Sequence, residues 1–151
     1  MRFLIRWLIR LGVTLAVVLV GALVAVWALL RNSLPAVEGE VGVAGLAAPV
    51  SIARDSLGVP TIRAESRADA AMAMGFLHGQ ERFFQMDLLR RAAAGELSAL
   101  FGPIALGADR RLRAHRFRSA ARRAYAALPE EDRSLLEAYG EGVKAGLGAL
   151  G

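Results

Sequence analysis

Cysteine is absent from the 151 residues, which excludes a disulfide framework, a thiolate metal site and a thiol redox centre. Lysine is nearly absent as well: of 19 basic residues only Lys144 is a lysine, and histidine occurs only at His78 and His115. Also missing are a Gly-rich phosphate loop, a Gly-x-Ser-x-Gly nucleophile elbow and a zinc-ligand spacing. Each absence removes a class of enzyme. None of them removes catalysis altogether.

Charge is missing from one long stretch. Leu11 to Leu30 is a run of 20 uncharged residues bounded by Arg10 and Arg31. An apolar helix of ~20 residues spans the ~30 Å hydrocarbon core of a bilayer. Arg2, Arg6 and Arg10 precede the run, whereas Arg31 is followed by Glu38 and Glu40. That asymmetry places the N-terminus in the cytoplasm and the rest of the chain across the membrane, with Trp7 and Trp27 near the two interfaces. A cleaved signal peptide competes with this reading, but its apolar region is usually ~7–15 residues and ends in a small-x-small site. Val26-Trp27-Ala28 is not a convincing one. On either reading the remainder is exported, and an exported domain without disulfides fits a bacterial periplasm or outer surface. The expected organisation is a cytoplasmic stub and signal anchor over 1–31, a Pro35-containing linker over 32–40 and a domain from 41 to 151.

The net charge of +5 is unevenly spread, because residues 1–31 carry four arginines and no acid. The high pI is therefore partly an orientation signal, and by itself it does not mark a nucleic-acid binder. Beyond the linker, Val41, Val43, Val50, Ile52, Val59 and Ile62 recur with the period of two that marks strands. Pro49 to Arg54 and Val59 to Ala64 form the clearest pair, joined by Asp55-Ser56-Leu57-Gly58, and predict an antiparallel hairpin. Pro60 is tolerated only at an edge or at the first strand residue, since it has no N–H for the ladder.

At Ser66-Arg67-Ala68-Asp69 the pattern becomes helical, with a serine N-cap and an acid at N3. A helix is expected from Arg67 to about Leu77, with a slight break at Gly75 or Gly79 leading into a second. In the second, Phe83, Phe84, Leu88 and Leu89 form a stripe expected to face a core, and Asp87 is braced by Arg90 and Arg91. Gly95 interrupts it, a short helix carries Leu97, Leu100 and Phe101, and Gly102-Pro103 stops that one. Residues 105–127 are rich in Arg and Ala without a strong apolar face. Pro129 starts a last helix, with Glu130, Glu131 and Asp132 at its positive end and Leu135, Leu136, Tyr139, Val143 and Leu147 at helical spacing. Gly146, Gly148 and Gly151 offer that stripe no obvious closing partner, and the chain is expected to stop in mid-architecture.

Few residues invite chemistry. His78 and His115 sit on different expected helices, and the single acid at helical spacing, Glu81 three residues after His78, does not make a two-ligand metal site. Packing is the expected role of both histidines. Glu81 and Asp87 could in principle pair for acid–base work, but six residues apart on a helix they lie on different faces with arginines in reach. Seven arginines lie between Arg110 and Arg123. As a patch they would suit nucleic acid or anionic lipid, yet export disfavours nucleic acid, and arginines on all faces of a helix usually mean solvation. No catalytic, cofactor-binding or metal residue is assigned.

Taken together, three blocks resemble the N-terminal portion of the penicillin acylase family. They are Pro49-Val50-Ser51-Ile52-Ala53-Arg54-Asp55, then Gly58-Val59-Pro60-Thr61-Ile62, then the long block from Gly75 to Arg91, GFLHGQERFFQMDLLRR. Leu128-Pro129-Glu130, Ala138-Tyr139-Gly140 and Gly142-Val143-Lys144-Ala145-Gly146 extend the likeness, which covers roughly 36–148. Departures are mild: Thr61 stands where many members carry His, Gly79 where Ala is common, Glu81 where Asp is common and Lys144 where Asn is common. The resemblance implies an α+β fold, namely a hairpin and a mainly helical segment of the α subunit of an N-terminal-nucleophile (αββα) hydrolase. It also implies a precursor that cuts itself to expose a serine at the start of a β subunit, the missing partner of this segment. That serine would attack the carbonyl of a small acylated amide, such as a β-lactam side chain or an N-acyl-homoserine lactone, with its own α-amino group as base. By the same resemblance the nucleophile, the oxyanion donors and the ligands of a calcium ion lie beyond Gly151, so this chain alone is expected to be inactive. A membrane-tethered, non-enzymatic helical module presenting its Arg110–Arg123 face to an anionic partner is the alternative.

Overall fold

In the computed structural model, which describes residues 2–32, 34 and 37–150, helices dominate and one small sheet is present. The chain divides at Glu38 into two compact units, the second running Gly39–Ala149. Pro35 and Gly151, singled out above, lie outside the described residues.

The first unit is helix α1, Arg2–Asn32. Its segment Ile9–Arg31, 23 residues with a mean hydropathy of 2.7, is long and apolar enough to cross a membrane by length and composition. At its end the Arg31 guanidinium lies 5.5 Å from the centre of the Trp27 ring, a cation–π contact between neighbouring turns.

The second unit opens with the expected hairpin, β1 (Ser51–Arg54) and β2 (Pro60–Arg63), paired antiparallel from Ser51 opposite Arg63 to Arg54 opposite Pro60. The turn follows from its residues. Asp55 Oδ1 accepts from the amides of Leu57 and Val59 at 2.9 and 2.8 Å, and Gly58 takes φ +78°, where a side chain would be strained. Pro60 is the first residue of its strand, the place its missing N–H allows. Val41 and Val43, which share the period of two, join no strand. They have no facing strand to complete a ladder.

Helix α2 (Arg67–Glu81) starts at Ser66, whose hydroxyl accepts from the Asp69 amide at 3.0 Å while donating to Asp69 Oδ2 at 2.8 Å. Asp69 Oδ1 accepts from the Ala47 amide at 2.8 Å and so ties the segment before the hairpin to the helix. These bonds, from Ala47 first and Ser66 second, hold the buried carboxyl below its usual range against the opposing effect of burial. The helix does not break at Gly75 or Gly79. It ends at Arg82, whose amide donates to the His78 carbonyl, and α3 (Phe83–Ala94) follows at once.

Those two glycines serve packing instead. Helix α7 (Glu130–Gly148) runs beside α2 in the same direction, with Gly142 against Met72 and Gly146 against Phe76. A methyl group at Gly75 would stand 2.1 Å from the Tyr139 carbonyl oxygen, and one at Gly79 would stand 2.4 Å from that of Val143. The return contacts are as tight: 2.0 Å from Gly142 to the Met72 carbonyl and 2.1 Å from Gly146 to that of Phe76. Two glycines four apart on each helix therefore let the backbones touch. Around this seam lie the buried apolar residues Met72, Ala73 and Leu77.

The other elements form an outer ridge. Gly95 ends α3 in the left-handed region, with its amide donating to the Ala92 carbonyl and that of Glu96 to Arg91. Then come α4 (Ser98–Phe101), a 3-10 turn over Gly102–Ala105, α5 (Leu106–Ala114) and α6 (Phe117–Ala126). The expected core face of α3 is not buried: Phe84 is 66% and Leu89 70% exposed.

Candidate functional site

A groove of about 840 Å³ lies between α2, α7 and β2. Ile62, Met74, Leu128 and Leu136 give it apolar walls, and His78 and Tyr139 supply its polar end. His78 projects from the same turn of α2 that carries Gly79, so the close approach at that glycine brings the ring onto α7. His78 Nδ1 lies 2.9 Å from the Tyr139 hydroxyl, and the rings meet edge to face with centroids 5.8 Å apart. With the proton on Nδ1, His78 donates and the Tyr139 hydroxyl is free to turn toward Met86 Sδ, 3.9 Å away; the other tautomer reverses the first bond. In the structure His78 joins α2 to α7 through Tyr139.

A nucleophile needs a base within hydrogen-bond reach. Ser66 is engaged with Asp69, Ser98 with Asp109, Ser119 accepts from Arg123, and Ser134 donates to the Glu131 carbonyl. None of these hydroxyls bonds a histidine. The other histidine, His115, stacks on Phe117 at 5.2 Å.

The two acids weighed for acid–base work are held apart by different partners. Glu81 pairs with Arg54, which also donates to the Gly58 carbonyl, so this ion pair pins the hairpin turn to the end of α2. Asp87 is clamped by Arg91 and Arg90, which hold its carboxyl below the usual range. A carboxylate kept ionised in this way is a poor proton donor near neutral pH. The spacing had already pointed to this outcome. Among the described residues no three His, Asp or Glu side chains gather.

Asp109 escaped notice in the sequence. It is buried on α5 and accepts from the amides of Leu97 and Ser98 at 2.9 and 2.8 Å, capping α4 from outside that helix. Burial pushes its carboxyl up, but the Ser98 hydroxyl and amide, the Leu97 amide and the Arg113 charge together hold it below its ordinary value. Arg113 Nε donates to the Gly95 carbonyl at 2.8 Å, and a methyl group at Gly95 would stand 2.5 Å from Arg113 Cγ. The available signal was compositional: Asp109 is the one acid between Leu97 and Pro129.

Comparison with known proteins bears on what this arrangement serves. Residues 49–151 match the family described as Penicillin amidase. The penicillin acylase 2 proenzyme of Pseudomonas sp. (strain SE83) is 41% identical over 116 residues, which make up 77% of this chain and 15% of that protein. The acyl-homoserine lactone acylase QuiP of Pseudomonas aeruginosa is 39% identical over 76% of this chain and 14% of its own length. Among solved structures, a thermostable penicillin G acylase from Alcaligenes faecalis superposes with a TM-score of 0.58 at 32% identity, covering 64% of this chain and 52% of that one. The chain thus spans about 15% of the length of the curated relatives it matches.

Proposed function

The chain belongs to the penicillin amidase family, and from that premise we propose that it forms the membrane-anchored N-terminal scaffold of an amide hydrolase. The observation that carries this reading is the use to which the family-like residues are put. Asp55 builds a turn, Asp69 ties the segment before the hairpin to α2, Asp109 caps α4, Asp87 clamps two arginines, and four glycines close the α2–α7 seam. All of them hold elements together, and none meets a nucleophile.

In this proposal the substrate is a linear acylated amine, of the β-lactam or N-acyl-homoserine lactone kind that the relatives' names indicate. The reaction is that of an N-terminal serine, exposed by self-cleavage, on a β subunit that this segment supports. Its hydroxyl attacks the amide carbonyl, its α-amino group takes the proton, the amine leaves and water releases the acyl group. Residues 49–151 contribute position and no reacting atom. Helix α1 anchors the scaffold in the bacterial inner membrane with the N-terminus in the cytoplasm and the Gly39–Ala149 unit outside it. The non-enzymatic module is the weaker reading, since the named relatives are acylases.

The purified chain should release no product from a phenylacetylated chromogenic amine or from an N-acyl-homoserine lactone. Co-expression with the SE83 relative shorn of its matching segment should restore hydrolysis. Turnover by the chain alone would overturn the scaffold role, and failure to reconstitute would overturn the partnership.

A further inference from the structure

The arginines that the scaffold role leaves unused gather at the junction of α5 and α6. Of the seven between Arg110 and Arg123, Arg113 is bound to the Gly95 carbonyl, Arg118 to both Glu96 oxygens and Arg123 to the Ser119 hydroxyl. Arg110, Arg111, Arg116 and Arg122 have no ion pair among the described residues. The one acid of this sequence stretch, Asp109, is buried and spent on capping α4, while the neighbouring Glu96 and Glu137 are taken by Arg118 and by the Tyr125 hydroxyl. Four positive charges here are thus left without an ion pair among the described residues.

Apolar side chains stand beside it. Every residue from Arg113 to Ala127 is exposed. On α6, Phe117, Ala121, Ala124 and Tyr125 recur along one side at helical spacing, whereas Ser119, Arg122 and Arg123 lie on the other. Ile104, 89% exposed, and Leu106 stand at the start of α5. Between the helices Arg116 takes φ +53°, a left-handed elbow that sets His115 and Phe117 into a stacked pair. Basic residues flanking exposed aromatic and aliphatic groups on a short amphipathic helix suit the headgroup region of a bilayer, where Lys and Arg are drawn to an anionic surface. Nucleic acid would use the charge and leave the apolar side in water.

We infer that the α5–α6 elbow is a docking surface for anionic phospholipid, with Arg110, Arg111, Arg116 and Arg122 meeting headgroup phosphates and Phe117 entering the interface. The inference rests on the reading of α1 as a bilayer span and is independent of the acylase assignment.

The absence of cysteine makes the test direct. The full chain carrying Ala121→Cys and an environment-sensitive dye is reconstituted into vesicles of phosphatidylcholine, with or without phosphatidylglycerol. The dye emission should shift to the blue only where phosphatidylglycerol is present, and 1 M salt should abolish the shift by cutting the screening length to about 3 Å. The same dye on Lys144→Cys, on α7, should not respond. Arg111→Glu with Arg122→Glu should remove the shift, and Arg111→Lys with Arg122→Lys, which keeps the charge, should retain it even if the acidic pair misfolds. An equal response in both vesicles, no response in either, or displacement of the bound elbow by duplex DNA would each overturn the inference. Failure of the chain to float with neutral vesicles would remove the α1 span and the inference with it.

Discussion

Gly142 of α7 faces the carbonyl oxygen of Met72 on α2 so closely that a methyl group in place of its hydrogen would stand 2.0 Å from that oxygen. The obstacle is main chain, which cannot rotate away as a flexible side chain could. Gly142→Ala should therefore push the helices apart and lower the stability of the Gly39–Ala149 unit by about 1–3 kcal/mol or more, the range for overpacking a close seam. Gly140, two residues earlier on the same helix, faces open space, and a methyl group there would meet nothing within 4 Å. Gly140→Ala should stabilise the helix by about 0.5–1 kcal/mol through propensity alone. Thermal melts of the two variants should move in opposite directions. Equal shifts would show that the seam is looser than the structure has it.

That contrast also explains what the sequence could reveal. The Asp55–Gly58 turn, the Ser66–Asp69 cap, the clamp on Asp87 and the start at Pro129 were legible because each is made by residues within four positions of one another. Gly75 and Gly79 were not. A glycine inside a helical pattern reads as a weak point, since its backbone cost is local, whereas its use as a contact depends on a helix some 65 residues away in sequence. Phe84 and Leu89 misled for the opposite reason: a stripe shows that a face is apolar and is silent on whether this chain covers it. Asp109 was hidden because its partners, the Leu97 and Ser98 amides, leave no mark in side-chain pattern.

Tyr139 and His78 join α7 to α2 across the end of the groove. Tyr139→Phe keeps the ring contact and removes the hydroxyl, so it should cost about 0.5–1.5 kcal/mol, the net worth of one part-buried hydrogen bond. Because each deletion removes the same bond, Tyr139→Phe in a His78→Ala background should cost clearly less than in the parent. Full additivity in denaturant titrations would mean that the bond contributes nothing.

Two buried carboxylates give stability a pH dependence of known sign. Asp69 and Asp109 both have folded-state pKa values below the ordinary 3.8, so the unfolded chain binds their protons first as pH falls. Their contribution is complete above about pH 5 and is lost progressively from near pH 4 downward, through the depressed folded values. Melting temperature should accordingly hold steady from pH 7 to 5 and then drop. Asp109→Asn should lower it throughout, because it puts an NH2 donor where one of the two carboxylate oxygens accepts from the Leu97 or Ser98 N–H, and should flatten the acid limb. An unchanged limb would assign the acid sensitivity to other groups.

Arg116 is the only described non-glycine residue with positive φ, at +53°. Its position is forced from both sides: its amide donates to the Arg113 carbonyl to close α5, and its carbonyl accepts from Ala120 to open α6. The left-handed region costs an L-residue roughly 1–2 kcal/mol, a strain that glycine lacks. Glycine adds freedom to the unfolded chain worth about 0.4–1 kcal/mol, which offsets part of the gain. Arg116→Gly should therefore leave stability unchanged or raise it by up to about 1 kcal/mol, while removing one cation from the elbow. The variant separates two roles that the wild type combines. Should the unit melt higher yet show a weaker dye response on phosphatidylglycerol vesicles, arginine stands at this strained position for its charge. A lower melting temperature would instead mean that its side chain braces the turn.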